Sequence, residues 1–214
     1  MVEITSKIEA VIFDLWGTLA YIINEDEIWR MLVEDLGLDE KLIVELDKKF
    51  ILLPEISKER IRMLLQGYGL QELSNQLYEI LTVPQEFGIY PEVEDVLESL
   101  KENFKLGIIS NIYETTARWV RRRKNTRKLL SYFSTVIFSC EVGYAKPDKE
   151  IFYKALYDLK SSAEKTLMVG DSLSSDILPA RSLGMQAVLI DRSGKTPCAI
   201  SSLKDILKVL KFLR

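Results

Sequence analysis

The sequence contains no histidine. That absence removes Ser-His-Asp and Cys-His catalysis, histidine metal sites and histidine proton shuttles. Any chemistry must come from carboxylates, lysine, hydroxyls and metals held by oxygen. Cysteine is scarce: Cys140 and Cys198 are the only two, they form no metal-type cluster, and isolated thiols suit a reducing compartment. No apolar run reaches the roughly 18 residues of a membrane span. The first ten residues, MVEITSKIEA, place charges where a secretory leader needs an apolar stretch. A cytoplasmic chain without membrane association is therefore expected. Net charge is −3, too small to imply a nucleic acid or another polyanion as partner. Nothing in the composition sets the oligomeric state.

What is present is a chain of 214 residues with 47% apolar and 29% charged residues, enough for one good core and a modest second module. Apolar runs at Ala10–Phe13, Lys105–Ile109, Thr135–Ser139, Thr166–Val169 and Gln186–Ile190 have the length and composition of buried parallel strands. Between the later runs, apolar residues recur at helical spacing: Val93, Val96, Leu97 and Leu100, then Ile151, Phe152, Ala155, Leu156 and Leu159. A last helix carries Leu203, Ile206, Leu207 and Leu210. Strands alternating with helices predict a doubly wound, Rossmann-like parallel sheet. About 90 residues separate Phe13 from the next such run, and their pattern is helical, with stripes at Leu42, Leu46, Phe50 and at Leu73, Leu77, Leu81. Residues 21–87 are accordingly expected to form a small inserted helical cap, and residues 1–20 and 88–214 the core.

Open α/β sheets bind ligands at the carboxyl ends of their strands. After the first run comes Asp14-Leu15-Trp16-Gly17-Thr18; after the second, Ser110-Asn111; after the third and a short loop, Lys146-Pro147. After the fourth comes Gly170-Asp171-Ser172, with Asp176 five residues past Asp171. All of these can converge on one crevice. A strand-end carboxylate such as Asp14 can attack phosphorus or carbon and form a covalent intermediate. Thr18, Ser110 and Asn111 can bind the substrate, and Lys146 can neutralise charge. Asp14, Asp171 and Asp176 would repel one another unless a cation lies among them, and hard oxygen ligands favour Mg²⁺.

The segments VIFDLWGTL, GIISN, YAKPDKEIF and MVGDSLSSDI, in this order, resemble the four ordered motifs of the haloacid dehalogenase superfamily. The helical insertion after the first motif is similar to that family's cap. The resemblance implies Asp14 as nucleophile, Ser110 as a ligand of the transferred group and Lys146 as the charge-stabilising lysine. It also implies that Asp14, Asp171 and the Trp16 backbone carbonyl hold Mg²⁺, with Asp176 in support.

Trp16 departs from the phosphatase pattern of this family, which has a second aspartate there as general acid/base. Indole can neither accept nor release the proton that role requires. The superfamily's 2-haloacid dehalogenases carry an aromatic residue at that place instead. Their fourth motif, however, is rich in serine and asparagine and binds no metal, whereas here it contains Gly170-Asp171. The expected reaction is Mg²⁺-dependent phosphoester hydrolysis of a small anionic substrate, with Trp16 either touching that substrate or filling the floor beneath the cap. The alternatives are 2-haloacid dehalogenation and a catalytically weak anion-binding or regulatory protein. The basic run Arg118, Arg121, Arg122, Arg123, Lys124, Arg127, Lys128 has no accompanying aromatic platform and is expected to be a solvated helix face. Arg30, Arg60 and Arg62 of the insertion are expected in surface ion pairs.

Overall fold

A computed structural model describes residues 7–23 and 30–212. The strands it contains are β1 (Ala10–Phe13), β2 (Ala20–Ile22), β3 (Phe87–Ile89), β4 (Lys105–Ser110), β5 (Thr135–Phe138), β6 (Thr166–Gly170) and β7 (Gln186–Leu189). Five of them form one parallel sheet in the order β5-β4-β1-β6-β7. The expected parallel α/β sheet is thus present, with small shifts at its ends. β4 and β6 each run one residue further, to Ser110 and Gly170, while Ser139 leaves β5 to start a short helix.

β1 is buried along its whole length because it is central and both faces are covered. Its side chains alternate between two cores, as the pleat requires. Val11 and Phe13 pack with Val96, Leu97 and Val169 on one face, and Ala10 and Ile12 with Ile151, Phe152 and Met168 on the other. Fully burying a side chain such as Phe152 stabilises the fold by about 1.5–3 kcal/mol.

The helices in chain order are α1 (Glu40–Phe50), α2 (Lys58–Gln66), α3 (Ser74–Thr82), α4 (Val93–Lys101), α5 (Glu114–Arg122), α6 (Lys124–Leu130), α7 (Ser139–Val142), α8 (Lys149–Leu159), α9 (Leu178–Ser182) and α10 (Ile206–Phe212). Asp39 caps α1 by accepting from Leu42 N at 3.0 Å, and Ser57 caps α2 by accepting from Arg60 N. α1 to α3 enclose a third apolar cluster that includes Leu46, Phe50, Ile61, Leu65 and Leu77. Along α1 the buried stripe runs through Ile43, Leu46 and Phe50, and Leu42 stays at its margin.

β2 and β3 pair antiparallel, Ala20 opposite Ile89 and Ile22 opposite Phe87. This ribbon was not expected, because three-residue strands are too short to show alternation. The boundaries expected at Tyr21 and Phe87 fall inside it. The helical segment therefore leaves and returns side by side through this ribbon, whose first strand follows closely on the carboxyl end of β1.

Candidate functional site

Every parallel strand ends on the same edge of the sheet, and a polar crevice opens there. Asp14 follows β1 and is pinned above β6 by its own N–H, which donates to Val169 O at 2.9 Å. Asp171 follows β6. The chain then turns through a wide π-helical turn, Leu173–Ile177, started by Ser172, whose hydroxyl accepts from Ser175 N at 3.1 Å. That turn brings Asp176 back under Asp171. Carboxylate oxygens of Asp14, Asp171 and Asp176 all lie within 4.8 Å of one another.

Lys146 enters from the loop before α8. Its Nζ donates to Asp14 Oδ1 at 2.5 Å and to Asp176 Oδ1 at 2.6 Å. The lysine side chain is 4% exposed, and those of Asp14 and Asp176 are 8% and 1% exposed. Asn111 fixes this lysine through its backbone: its amide donates to Lys146 O at 2.8 Å and its amide oxygen accepts from Lys146 N at 2.8 Å. Asn111, expected as a substrate ligand, thus has both ends of its side chain engaged in positioning Lys146. Asp176 uses its other oxygen, Oδ2, to accept from Ser172 N at 3.0 Å.

The electrostatics follow from burial. Desolvation pushes the Asp14 carboxyl up to about 7; Lys146 opposes the shift, while Asp176 and Asp171 reinforce it. Burial, and then Asp176, raise Asp171 as well. Burial works against the charge of Lys146, yet Asp14 and Asp176 hold its pKa above the ordinary lysine value. One ammonium therefore faces three carboxylates. Asp171 is the exposed member of the three, so the excess negative charge opens toward solvent. Three carboxylates without nitrogen or sulfur donors fit a hard cation such as Mg²⁺.

Two glycines make this convergence possible. Gly17 has φ +70°, and a Cβ there would lie 2.1 Å from Asp171 Oδ2. A Cβ on Gly170 would lie 2.4 Å from the Asp176 carboxylate. The clues in the sequence were glycines directly after Trp16 and directly before Asp171.

Thr18 and Ser110 do not reach the crevice surface. Both are fully buried, and Thr18 Oγ1 has no hydrogen-bond partner among the described residues. Ser110 occupies the last register position of β4, opposite Phe138, inside the sheet. Trp16 packs edge-on against Phe87, with ring centroids 5.7 Å apart, and walls both the crevice and a neighbouring cavity of about 300 Å³.

Some contributors carried no signal in the sequence. Tyr21 and Tyr90 line the crevice from the ribbon and its exit. Arg192, beyond the last motif, lies over the Tyr90 ring at 3.8 Å, pairs with Glu92 and donates to the carbonyls of Gly17 and Thr18. It braces the backbone just after the nucleophile position. Arg30 and Arg60 pair at the surface with Glu34 and Glu55, and Arg62 is exposed. In the basic run, Arg118, Arg121 and Lys128 pair with Glu114, Glu141 and Glu94. Arg123 lies over the rings of Phe87 and Trp119. Among the described residues no helix is long and apolar enough to cross a membrane.

A family model of haloacid dehalogenase-like hydrolases matches residues 8–184. The glyceraldehyde 3-phosphate phosphatase of Methanothermobacter thermautotrophicus is 34% identical over 103 residues, covering 48% of this chain and 44% of that protein. The chain spans about half the length of several curated relatives that it matches. Among solved structures, a 2-haloacid dehalogenase from Pseudomonas syringae superposes with a TM-score of 0.67 at 25% identity, covering 97% of this chain and 100% of the other. A phosphatase of the same superfamily from Thermococcus onnurineus superposes with a TM-score of 0.61 at 28% identity, covering 95% and 98%.

Proposed function

The chain belongs to the haloacid dehalogenase-like hydrolases, and from that premise we propose that it hydrolyses small phosphate esters with the help of Mg²⁺ through a covalent Asp14 intermediate. The observation that carries this reading is the convergence of three carboxylates, two of them bonded to a single buried lysine. Asp14, Asp171 and the Trp16 backbone carbonyl would hold the metal, with Asp176 in support. Bound there, Mg²⁺ supplies the positive charge that lets an anionic substrate approach a carboxylate nucleophile.

The remaining steps belong to the protein. Asp14 attacks phosphorus, a bond forms from its carboxylate oxygen, and the ester P–O bond breaks with its electron pair going to the leaving oxygen, which takes its proton from solvent water because the Trp16 indole is no acid. Water then attacks the acyl phosphate, releasing inorganic phosphate and restoring the carboxylate. Lys146 keeps positive charge beside Asp14 throughout, and Asp176 and Asn111 hold that lysine in place. Thr18 and Ser110 lie beneath the floor, so their hydroxyls act on the transferred group only if the floor adjusts. Residues 21–87 serve as a cap that covers the crevice and selects the substrate.

Trp16 favours a second reading. A halide leaves as a stable anion and needs no proton, so 2-haloacid dehalogenation would not miss the general acid. Against it, a haloacid carboxylate would face Asp171 with no cation to balance them. The deciding experiment is turnover of an activated aryl phosphate and of 2-haloacids, each with and without Mg²⁺. Aryl phosphate hydrolysis that requires Mg²⁺ is expected; metal-independent halide release with no phosphatase activity would overturn the reading.

A further inference from the structure

The cavity of about 300 Å³ beside the crevice shares Trp16, Ile22 and Asn111 with it, so the two are neighbours across those side chains. A phosphoryl group beside Asp14 would therefore direct the organic part of its ester past the indole into this cavity. The volume is at the lower end for ligand sites, which limits that part to a small group. Leu32, Ile43 and Ile51 line it with apolar side chains. Asp47 is the one charged residue among the described residues that line it.

Asp47 projects from α1, and its Oδ1 accepts from the Tyr113 hydroxyl across the gap between insertion and core. It enters no ion pair among the described residues, and burial pushes its pKa up. A half-buried carboxylate in an apolar cavity gains from a hydrogen-bond donor and repels an anion. Nearby, Gln85 accepts from Thr116 Oγ1 at 2.7 Å, so that amide carbonyl is already engaged.

We infer that the substrate is a phosphate monoester of a small alcohol whose organic part bears a hydrogen-bond donor, a hydroxyl or an ammonium, that meets Asp47, and bears no second anionic group. This rests on the phosphoester reading above and adds a specificity-determining residue to it.

Four esters of similar size test it: 2-hydroxyethyl, 2-aminoethyl, propyl and carboxymethyl phosphate. Their kcat/KM is measured with Mg²⁺, and their binding to the Asp14→Asn variant by calorimetry. At least one donor-bearing ester should exceed propyl phosphate by about tenfold, and carboxymethyl phosphate should fall below it. Which donor wins separates the hydroxyl from the ammonium. Asp47→Asn, isosteric and still able to accept from Tyr113, should bring all four within about threefold, mainly through KM. Tyr113→Phe, which keeps the carboxylate, should preserve the order, so a folding defect in one variant does not remove the test. Carboxymethyl phosphate as the best substrate and ligand, or an order unchanged in Asp47→Asn, would overturn the inference. Failure to hydrolyse even an activated aryl phosphate would instead strike the phosphoester reading, and the binding order would still judge Asp47.

Discussion

Replacing Lys146 with Met removes the one cation from a buried group of carboxylates and keeps most of the side-chain volume. The ammonium contacts Asp14 at 2.5 Å and Asp176 at 2.6 Å, and all three side chains are less than a tenth exposed. Breaking a buried pair by deleting one partner typically costs about 3–5 kcal/mol, because the other charge is left without compensation. Two carboxylates are left here, but Asp14 already lies near 7 and can escape by taking up a proton. The loss should therefore fall within that range rather than double it. For a protein of this size it corresponds to a melting temperature lower by about 6–20 °C. Calorimetry without metal is the assay. Asp176→Asn in the Lys146→Met background should recover about 1–3 kcal/mol, since the contacts are coupled. A single-variant loss below about 1 kcal/mol, or a double variant less stable than the single, would refute the reasoning.

Other outcomes follow from the same geometry. Trp16→Asp should raise Mg²⁺-dependent turnover of phosphate esters with poor leaving groups by about 10–100-fold, because a carboxyl would then stand where the alcohol needs a proton; a gain confined to activated aryl esters would point to cap repacking instead. Mg²⁺ at 100 times its dissociation constant should stabilise the wild type by about 2.7 kcal/mol. Asp171→Asn should abolish most of that gain, and an undiminished melting shift would remove Asp171 from the metal site. Glu92, whose pKa is lowered despite burial by Arg192 and the Leu203 N–H, should contribute stability above the ordinary glutamate range and lose it as pH falls through its depressed folded value. Glu92→Gln should thus cost about 1–2 kcal/mol at neutral pH, and denaturant titrations should show the gap closing in acid.

The strands of the main sheet were legible because a parallel sheet covered on both faces leaves nearly unbroken apolar runs such as AVIF and TLMVG. Their polar successors were legible for the same reason: a sharp change from apolar to polar marks a strand's carboxyl end. Asp14 and Asp171 stand directly at such changes, and Lys146 and Asp176 follow a few residues beyond them. The sequence could not show that Asp176 is sealed beneath the site and bonded to Lys146, since spacing says nothing of burial. Nor could it show that Asn111 holds Lys146 from 35 residues away, a contact set by tertiary geometry. Ser110 and Thr18 were expected to bind the substrate, yet Ser110, at the end of β4, and Thr18, in the turn before β2, are both fully buried. Arg192 and the β2–β3 ribbon leave no mark in the sequence, because one lies outside any motif and the other is too short to carry a period.

The central claim is that Asp14 carries the phosphoryl group during turnover. Acid quench of the enzyme during steady-state hydrolysis of an aryl phosphate with Mg²⁺, followed by mass analysis of the peptide spanning residues 9–30, tests it directly. That peptide should gain the mass of one phosphoryl group on Asp14, and Asp14→Asn should show neither the adduct nor turnover above about a tenth of wild type. Turnover that persists in Asp14→Asn, or an adduct on another residue, would contradict the account.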